Sequence, residues 1–308
     1  MDFVGKRGWF FVTSLLVIAP GIVFLIIAPG LKPGIDFTGG SAVTLEFQDD
    51  VTQTPLREEL ADLGYPDATI QKLESNTFFI RTKELSGAAK ESMIASLEST
   101  LSPSGVLELS FYLVSPVVAS ETVLNAVYAV LAAAVGIFFY VWWAFRNVPS
   151  PFRYGLAAIA ALVHDAVIVI GIFAILGVVA DIEVGTMFLI AILTVIGYSV
   201  NDTIVVFDRI RENVLTYPNR ELAEVVNLSI SETIGRSLNT SLTLLFTLMA
   251  MILFGGATIR EFLLVLLVGV VAGTYSSIGL ASQLLVSWEY GDLRRILGRR
   301  SSEAAATA

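Results

Sequence analysis

The sequence predicts a polytopic α-helical membrane protein with six transmembrane helices (N-in, C-in) and one extracytoplasmic α+β domain between helices 1 and 2. Three observations predict this fold class. Hydrophobic residues make up 55% of the 308 positions and charged residues only 15%, a balance typical of membrane proteins. Six apolar runs are each long enough to cross a bilayer, and a long polar segment separates the first run from the second.

The apolar runs predict the spans one by one, since a hydrocarbon core takes about 20 apolar residues. Four runs carry no charge, whereas the third and fourth contain His164, Asp165 and Asp202. The first run follows Lys6 and Arg7 as a signal peptide would, but it is too long and lacks a cleavage site, so we expect an uncleaved anchor. The predicted spans are Trp9–Ala28, Val123–Phe145, Tyr154–Ala180, Val184–Phe207, Ser237–Thr258 and Phe262–Trp288.

Basic residues predict the orientation, because they accumulate in cytoplasmic loops. The loops at Asp181–Glu183 and Ala257–Glu261 contain Arg260 as their only cation, which places them outside together with the acidic domain. Four tryptophans near the span ends fit an interfacial belt. We therefore expect the first span at 1–31, the external domain at 32–118, spans two to six at 119–290 with a cytoplasmic amphipathic loop at 209–235, and a cytoplasmic tail at 291–308.

The polar segment predicts a βαββαβ unit of the ferredoxin-like type. A strand is predicted at Asp36–Phe47 and a helix at Pro55–Leu63, with Thr54 available as its N-cap. Gly39 and Gly40 allow either a tight backbone approach or a simple turn. The remaining predicted elements are strands at Ile70–Leu73 and Thr77–Arg81, a helix at Gly87–Leu101 and a strand at Val106–Val114.

Composition excludes several functions. The chain has no cysteine, so disulfides, thiolate metal sites and a cysteine nucleophile are absent. The net charge of -9 is concentrated in the external domain, and this asymmetry indicates membrane topology rather than nucleic-acid binding. No nucleotide-binding loop occurs in the sequence. Because the single histidine lacks partners at metal-ligand spacing, no metal or cofactor site is predicted.

Asp202 is the main candidate site residue, because a carboxylate in a span costs about 2.5–3.5 kcal/mol and is usually kept for a use. Arg236 begins the fifth span at the same predicted membrane face, and antiparallel packing would bring it towards Asp202. Protonation of such a pair would depend on its separation, which couples proton movement to helix packing. The alternative is a static ion pair between two helices. Possible supporting polar residues are Asn201, Thr203, Asn239 and Thr240.

Three further features leave alternatives open. His164 and Asp165 in the third span predict either a second relay station or a helix-locking contact. The amphipathic stripe from Leu222 to Ile234 predicts a helix on the cytoplasmic surface that either transmits motion or anchors at the interface. The small residues of the last span predict a close packing face rather than a chemical one, and they are Gly269, Gly273, Ser276, Ser277 and Gly279.

Four motifs together give the chain a family resemblance. It resembles the SecF branch of the SecD/SecF family, accessory subunits of the bacterial Sec translocase related to the resistance-nodulation-division transporters. In that family, the residues that match Asp202 and Arg236 are tied to proton transport. The motifs are Asp36-Phe37-Thr38-Gly39-Gly40, His164-Asp165, Gly197–Thr203 continued by Phe207–Asn213, and Arg236–Ser241.

The resemblance implies partners and a task. It implies a complex with SecD, which supplies the matching six-helix half, beside the SecYEG channel and often with YajC. The pair would use the proton-motive force to pull preproteins across the inner membrane after the motor ATPase SecA has pushed them through. We therefore expect no enzymatic activity, a lipid bilayer as surroundings, and a separate subunit rather than the fused form.

Three other functions are weighed against this one. Small-molecule efflux by a related transporter would fit the spans, but such proteins typically carry both six-helix halves in one chain. An intramembrane aspartyl protease would use Asp165 and Asp202, but its Gly-x-Gly-Asp motif is absent. A non-conducting scaffold would stabilise the translocon and need neither Asp202 nor Arg236 for proton movement.

Overall fold

The computed structural model describes residues 2–27, 30–74, 76–256 and 259–291. They form two compact units. Pro33–Tyr128 and Glu183–Thr186 make the first, which we call the sheet domain, and the other described residues make the second, the helical unit. The predicted tail at 291–308, apart from Gly291, lies outside the described residues, as do Ala28 and Thr258 at predicted span ends.

The sheet domain follows the first apolar helix, α1 (Arg7–Ile27), and has the predicted βαββαβ order. Its sheet is fully antiparallel with strand order β2-β3-β1-β4, the order of ferredoxin-like folds. The elements are α2 (Ile35–Thr38), β1 (Gly40–Phe47), α3 (Gln53–Asp62), β2 (Thr69–Glu74), β3 (Thr77–Thr82), α4 (Gly87–Leu101) and β4 (Val106–Val114).

The core of the sheet domain lies between the sheet and its two long helices. Alternate residues of β1 and β3 point to this side, as a strand period of two requires. Each large apolar side chain that it buries stabilises the fold by about 1.5–3 kcal/mol. The fully buried members are Val43, Leu45, Phe47, Phe78, Ile80, Leu56, Leu60, Leu85, Met93 and Leu97.

Two predicted boundaries in this domain were wrong. β1 starts at Gly40 rather than Asp36, because Ile35–Thr38 forms one helical turn. Gly39 and Gly40 end that turn with φ of +73° and +127°. A side chain at Gly40 would meet the Thr82 carbonyl oxygen at 2.6 Å, and one at Gly39 would meet Pro116 at 3.0 Å. The glycine pair therefore allows a tight backbone approach.

The other error concerns α3, which starts at Gln53 rather than Pro55. Pro55 is only the third residue of the helix, where its missing N–H has no partner to lose. Thr52 takes the N-cap position without a side-chain cap bond, so Thr54 is not the cap.

The helical unit supplies the remaining span-length helices. Six helical stretches of the described residues, α1 among them, are long and apolar enough to cross a membrane. The last of them contains a π-helical turn at Ser277–Ala281. The others after the sheet domain are α5 (Pro116–Ala144), α6 (Pro151–Val179), α7 (Thr186–Thr216) and α8 (Leu222–Phe254), and the last comprises α9 (Arg260–Ser276), the π turn and α10 (Ser282–Glu289).

The segment 209–235 differs from the predicted surface loop. α7 continues to Thr216, and α8 begins at Leu222 and runs unbroken into the fifth span. Val226 and Ile230 are fully buried in a cluster that includes side chains of α5, α6, α7 and α10. The buried Asn213 amide donates to Ser229 Oγ at 2.9 Å. The apolar stripe therefore packs on protein, which leaves neither a separate surface helix nor an interfacial anchor.

Candidate functional site

Two buried carboxylates lie in the helical unit. Asp165 on α6 is 1% exposed and Asp202 on α7 is 7% exposed. α9 packs closely on α7, because a side chain at Gly273 would meet Ser199 Cβ at 2.9 Å and one at Gly269 would overlap Val195. These glycines confirm the predicted close packing face and bring polar groups of α9 to the carboxylates.

Both carboxylate oxygens of Asp165 are hydrogen-bonded. One oxygen, Oδ1, bonds His164 Nδ1 at 2.9 Å. The other, Oδ2, accepts from the hydroxyls of Ser199 on α7 and Ser276 on α9, the latter at 2.7 Å. A buried carboxylate is tolerated when its lone pairs are satisfied in this way, so Asp165 joins three helices.

Asp202 is held more loosely. Its Oδ2 accepts from Ser277 Oγ at 2.5 Å, and this is its one hydrogen bond within the described residues. Ser276 and Ser277 are adjacent where α9 passes into the π turn, and π turns often mark functional positions. Two consecutive serines therefore donate hydrogen bonds to the two carboxylates, Ser276 to Asp165 and Ser277 to Asp202. A shift of this turn would change both contacts at once.

His164 extends the network to α1. Tyr275 donates to the Phe10 carbonyl at 2.5 Å, so its oxygen accepts from Ser14 Oγ at 3.3 Å. Because the Ser14 proton is used there, Ser14 must accept from His164 Nε2, 3.0 Å away. One remaining proton is then shared between His164 Nδ1 and Asp165. The network thus contains a pair built to hold a proton.

Arg236 does not reach Asp202. Its side chain is exposed on α8, and the hydrogen bond to Asp202 in the described part of the chain comes from Ser277. The expected contact is therefore absent among the described residues. Counted from the helix ends at 1.5 Å per residue, Asp202 lies about 24 Å along α7 from Thr186, and Arg236 about 27 Å along α8 from Phe254.

Polar residues continue from Arg236 along the exposed face of α8. Asn239, Thr240, Thr243 and Thr247 are exposed there, at helical spacing. On its other face, Ser241 bonds Tyr198 of α7 at 2.9 Å and Thr274 of α9 at 2.6 Å. One face of α8 therefore makes polar contacts within its own unit, and the other presents a polar stripe that is exposed.

The other predicted supporting residues differ in burial. Thr203 is buried beside Asp202 on α7, whereas Asn201, Asn239 and Thr240 are exposed. Within the described residues, none of these four bonds Asp202. Sequence reasoning treated Ser276 and Ser277 as packing residues and did not single out Ser14 or Tyr275. Two consecutive serines in an apolar span were the available signal for the first two.

The site brings together groups that can hold and exchange protons. No group of three or more His, Asp or Glu side chains that could hold a metal occurs among residues 2–27, 30–74, 76–256 and 259–291. Carboxylates, an imidazole and hydroxyls in hydrogen-bonded sequence can pass or store protons.

Known families match most of the chain. The sequence model described as "Protein export membrane protein SecD/SecF, C-terminal" matches residues 92–291, and that of the "SecD/SecF GG Motif" matches residues 24–51. This chain belongs to the SecD/SecF family of protein export membrane proteins. The resemblance predicted from the four motifs is confirmed, and the GG motif is the Asp36–Gly40 segment.

Individual relatives agree. Protein translocase subunit SecF of Thermobaculum terrenum is 45% identical, with 100% of both chains covered, and that of Anaerolinea thermophila is 40% identical, with 99% and 100% covered. Protein translocase subunit SecDF of Bacillus subtilis is 34% identical over 96% of this chain and 39% of its own.

Solved structures carry the same fold. The crystal structure of SecDF from Thermus thermophilus aligns with a TM-score of 0.81 at 36% identity, covering 94% of this chain and 39% of that one. A second SecDF structure, in the super-membrane-facing form, aligns with a TM-score of 0.67 at 34% identity. That alignment covers 100% of this chain and 40% of the SecDF chain. This chain therefore spans about two fifths of SecDF. The predicted six-helix fold with a soluble β domain is confirmed.

Proposed function

We propose that this chain is one half of a proton-driven machine in Sec protein export, completed by SecD, and that Asp202 is its proton-coupling carboxylate. The task would be to draw preproteins out across the inner membrane beside SecYEG, with the sheet domain on the extracytoplasmic side and YajC as a further partner. The role is mechanical rather than enzymatic. The observation that carries the proposal is the buried Asp202, held by one hydroxyl at the π turn.

Association with SecD has two supports. The fused SecDF relatives are chains of which this one spans about two fifths, so the remainder includes a second half. The polar stripe of α8 from Arg236 to Thr247 is uncovered in the isolated chain. Polar side chains of a span are almost always turned towards protein or water rather than lipid. A partner half against this stripe would meet that requirement.

Proton uptake and release would follow from a change of the group that contacts Asp202, from Ser277 to Arg236 and back. In the arrangement described, the carboxylate is bonded by Ser277 and lies apart from Arg236. If Arg236 approaches Asp202, the charged carboxylate is favoured and a proton leaves; when Arg236 withdraws, a proton returns. The driving force is about 2.3 kcal/mol for each charge moved through 100 mV. His164 and Asp165 would serve as a second proton-holding station.

The experiment is preprotein release from vesicles that contain the complex with SecD under a proton-motive force. Asp202→Asn removes the exchangeable proton but keeps size and a hydrogen-bond acceptor. We expect normal assembly with SecD and loss of proton-dependent release. Asp208→Asn is the matched control, because Asp208 is an exposed carboxylate of the same helix, where it pairs with Arg211. Normal release with Asp202→Asn would refute the proposal and favour the non-conducting scaffold.

The same assay addresses the efflux alternative. A small-molecule transporter would require Asp202 for substrate movement but leave preprotein release unchanged. Family membership favours export over efflux, since the curated relatives are named protein translocase subunits.

A further inference from the structure

A short segment between α6 and α7 belongs structurally to the sheet domain. Glu183–Thr186 clusters with Pro33–Tyr128 rather than with the helices that it connects. Val184 forms a β-bridge with Pro33, and its carbonyl accepts the Gly34 N–H at 2.8 Å. Glu183 forms an ion pair with Arg81 of β3, and both side chains are largely buried. The segment is therefore fixed to the domain by backbone and charge.

Asp36 of the GG motif contacts the start of α7. Its Oδ2 accepts the backbone N–H of Thr186, the first residue of α7, at 2.6 Å. The first N–H groups of a helix have no partner inside it, and a negative charge there is stabilising. Gly185 provides the space for this contact, since a Cβ at that position would lie 2.8 Å from the same Asp36 oxygen. Asp36 thus caps α7 from a position 150 residues away.

The rest of the motif holds Asp36 in place. Thr38 Oγ donates to the Gly34 carbonyl at 3.1 Å across the single turn of α2. Gly39 lies against Pro116, where α5 begins, and Gly40 lies against Thr82 of β3. Residues of one short motif therefore reach the starts of two span-length helices and the middle of the sheet.

We propose that Asp36 is a positioning residue that couples the sheet domain to α7, the helix that carries Asp202. α7 runs unbroken from Thr186 to Thr216, so a shift or rotation of the helix at Asp202 is delivered to Thr186 and thence to Asp36. The inference rests on the proposed function for the origin of the motion, whereas the link itself rests on the contacts of Glu183–Thr186. It assigns a task to the GG motif.

The test uses hydrogen exchange of the full chain in complex with SecD in lipid nanodiscs. Asp36→Ala removes the cap, whereas Asp36→Asn keeps an acceptor that caps helices about as well. Asp50→Ala is the control, because Asp50 is exposed on the same domain. We expect exchange in the first turn of α7 to rise about fivefold with Asp36→Ala, the usual effect of losing a cap, and to stay near native in the other two.

The decisive readout is the response to Asp202→Asn, introduced into each of these backgrounds. We expect it to change exchange at Gly34–Gly40 in the native, Asp36→Asn and Asp50→Ala backgrounds, and to have a much smaller effect with Asp36→Ala, where the Gly34–Val184 backbone bond remains. A merely structural role for Asp36 would leave the response intact. An unchanged response in Asp36→Ala, or no response at Gly34–Gly40 in the native background, would overturn the inference.

Failure of the link and failure of the proposed function remain distinguishable. If Asp202→Asn leaves proton-dependent release normal, the proposed function fails. If Asp202→Asn stops release while its exchange response persists with Asp36→Ala, only the link through Asp36 fails.

Discussion

Gly273→Ala tests whether the close contact of α9 with α7 positions the site. The added Cβ would lie 2.9 Å from Ser199 Cβ and 3.2 Å from Ser199 Cα. Neither atom can rotate away, since one is backbone and the other is attached to it. The helices must therefore move apart, and Ser199 and Ser276, which bond Asp165 across this contact, move with them.

The expected magnitude follows from three terms. Overpacking of this kind costs about 1–3 kcal/mol. Weakening one hydrogen bond to a charged group adds about 1.5–3 kcal/mol at most. Replacement of glycine by alanine in a helix stabilises the helix by about 1 kcal/mol, which offsets part of this loss. Together these terms predict that the free energy of unfolding falls by about 1.5–5 kcal/mol where that hydrogen bond is lost.

The assay is reversible unfolding of the full chain in mixed micelles, followed by circular dichroism. Gly136→Ala on α5 is the control, because a Cβ there meets nothing within 4 Å. It should equal or exceed the native stability by up to about 1 kcal/mol. If Gly273→Ala proves as stable as Gly136→Ala, the contact does not position Asp165 and the reasoning is refuted.

Three further predictions concern single contacts. Ser277→Ala removes the hydrogen bond to Asp202 and should lower proton-driven release about tenfold or more, as the loss of a bond to a charged group costs about 1.5–3 kcal/mol; release from vesicles measures this. The pKa of Asp49 lies below its usual 3.8, because the Ser104 backbone N–H and then its hydroxyl bond the carboxylate. The Asp49 carboxylate therefore stabilises the sheet domain at a pH above 3.8, and this stabilisation is lost as the pH falls through the lowered pKa. Asp49→Asn should flatten the acid dependence of hydrogen exchange in the sheet domain. Asn213→Ala removes two bonds to α8 and should lower the free energy of unfolding by about 1–3 kcal/mol in micelles.

Each of these three predictions has a matched control variant and an outcome that would contradict it. Ser277→Thr keeps the hydroxyl and should restore release; equal loss in both variants would mean that packing, not the bond, matters. Asp50→Asn removes an exposed carboxylate of the same domain and should keep the native acid dependence, whereas an unchanged profile with Asp49→Asn would exclude the Asp49 contact as its source. Asn219→Ala, at an exposed position, should leave stability unchanged, and an equal result for Asn213→Ala would contradict the packed arrangement of α7 on α8.

The spans and most of the sheet domain were predictable because their signals are local. Run length and the absence of charge define a span, and the predicted Gly87–Leu101 and Val106–Val114 coincide with α4 and β4. Pro55 misled the prediction because a proline is tolerated anywhere in the first turn. Asp36 was placed in a strand because its partner, Thr186, is 150 residues away.

The candidate site was only partly predictable because it depends on helix rotation. Residue spacing gives the positions of Asp202 and Arg236 along their helices, but it does not say which way each side chain turns. The side chain of Arg236 is exposed on α8, whereas the π turn after α9 brings Ser277 to Asp202. The small size of Ser276 and Ser277 suggested packing, and their hydrogen bonds became evident only once α9 was placed against α7 and α6.

The central claim is that Asp202 couples proton movement to export, and proton flux tests it most directly. The measurement is proton entry into vesicles that contain the full chain with SecD, driven by an imposed membrane potential. We predict flux with the native chain and with Asp208→Asn, and flux near that of empty vesicles with Asp202→Asn at equal assembly. Undiminished flux through Asp202→Asn would contradict the account.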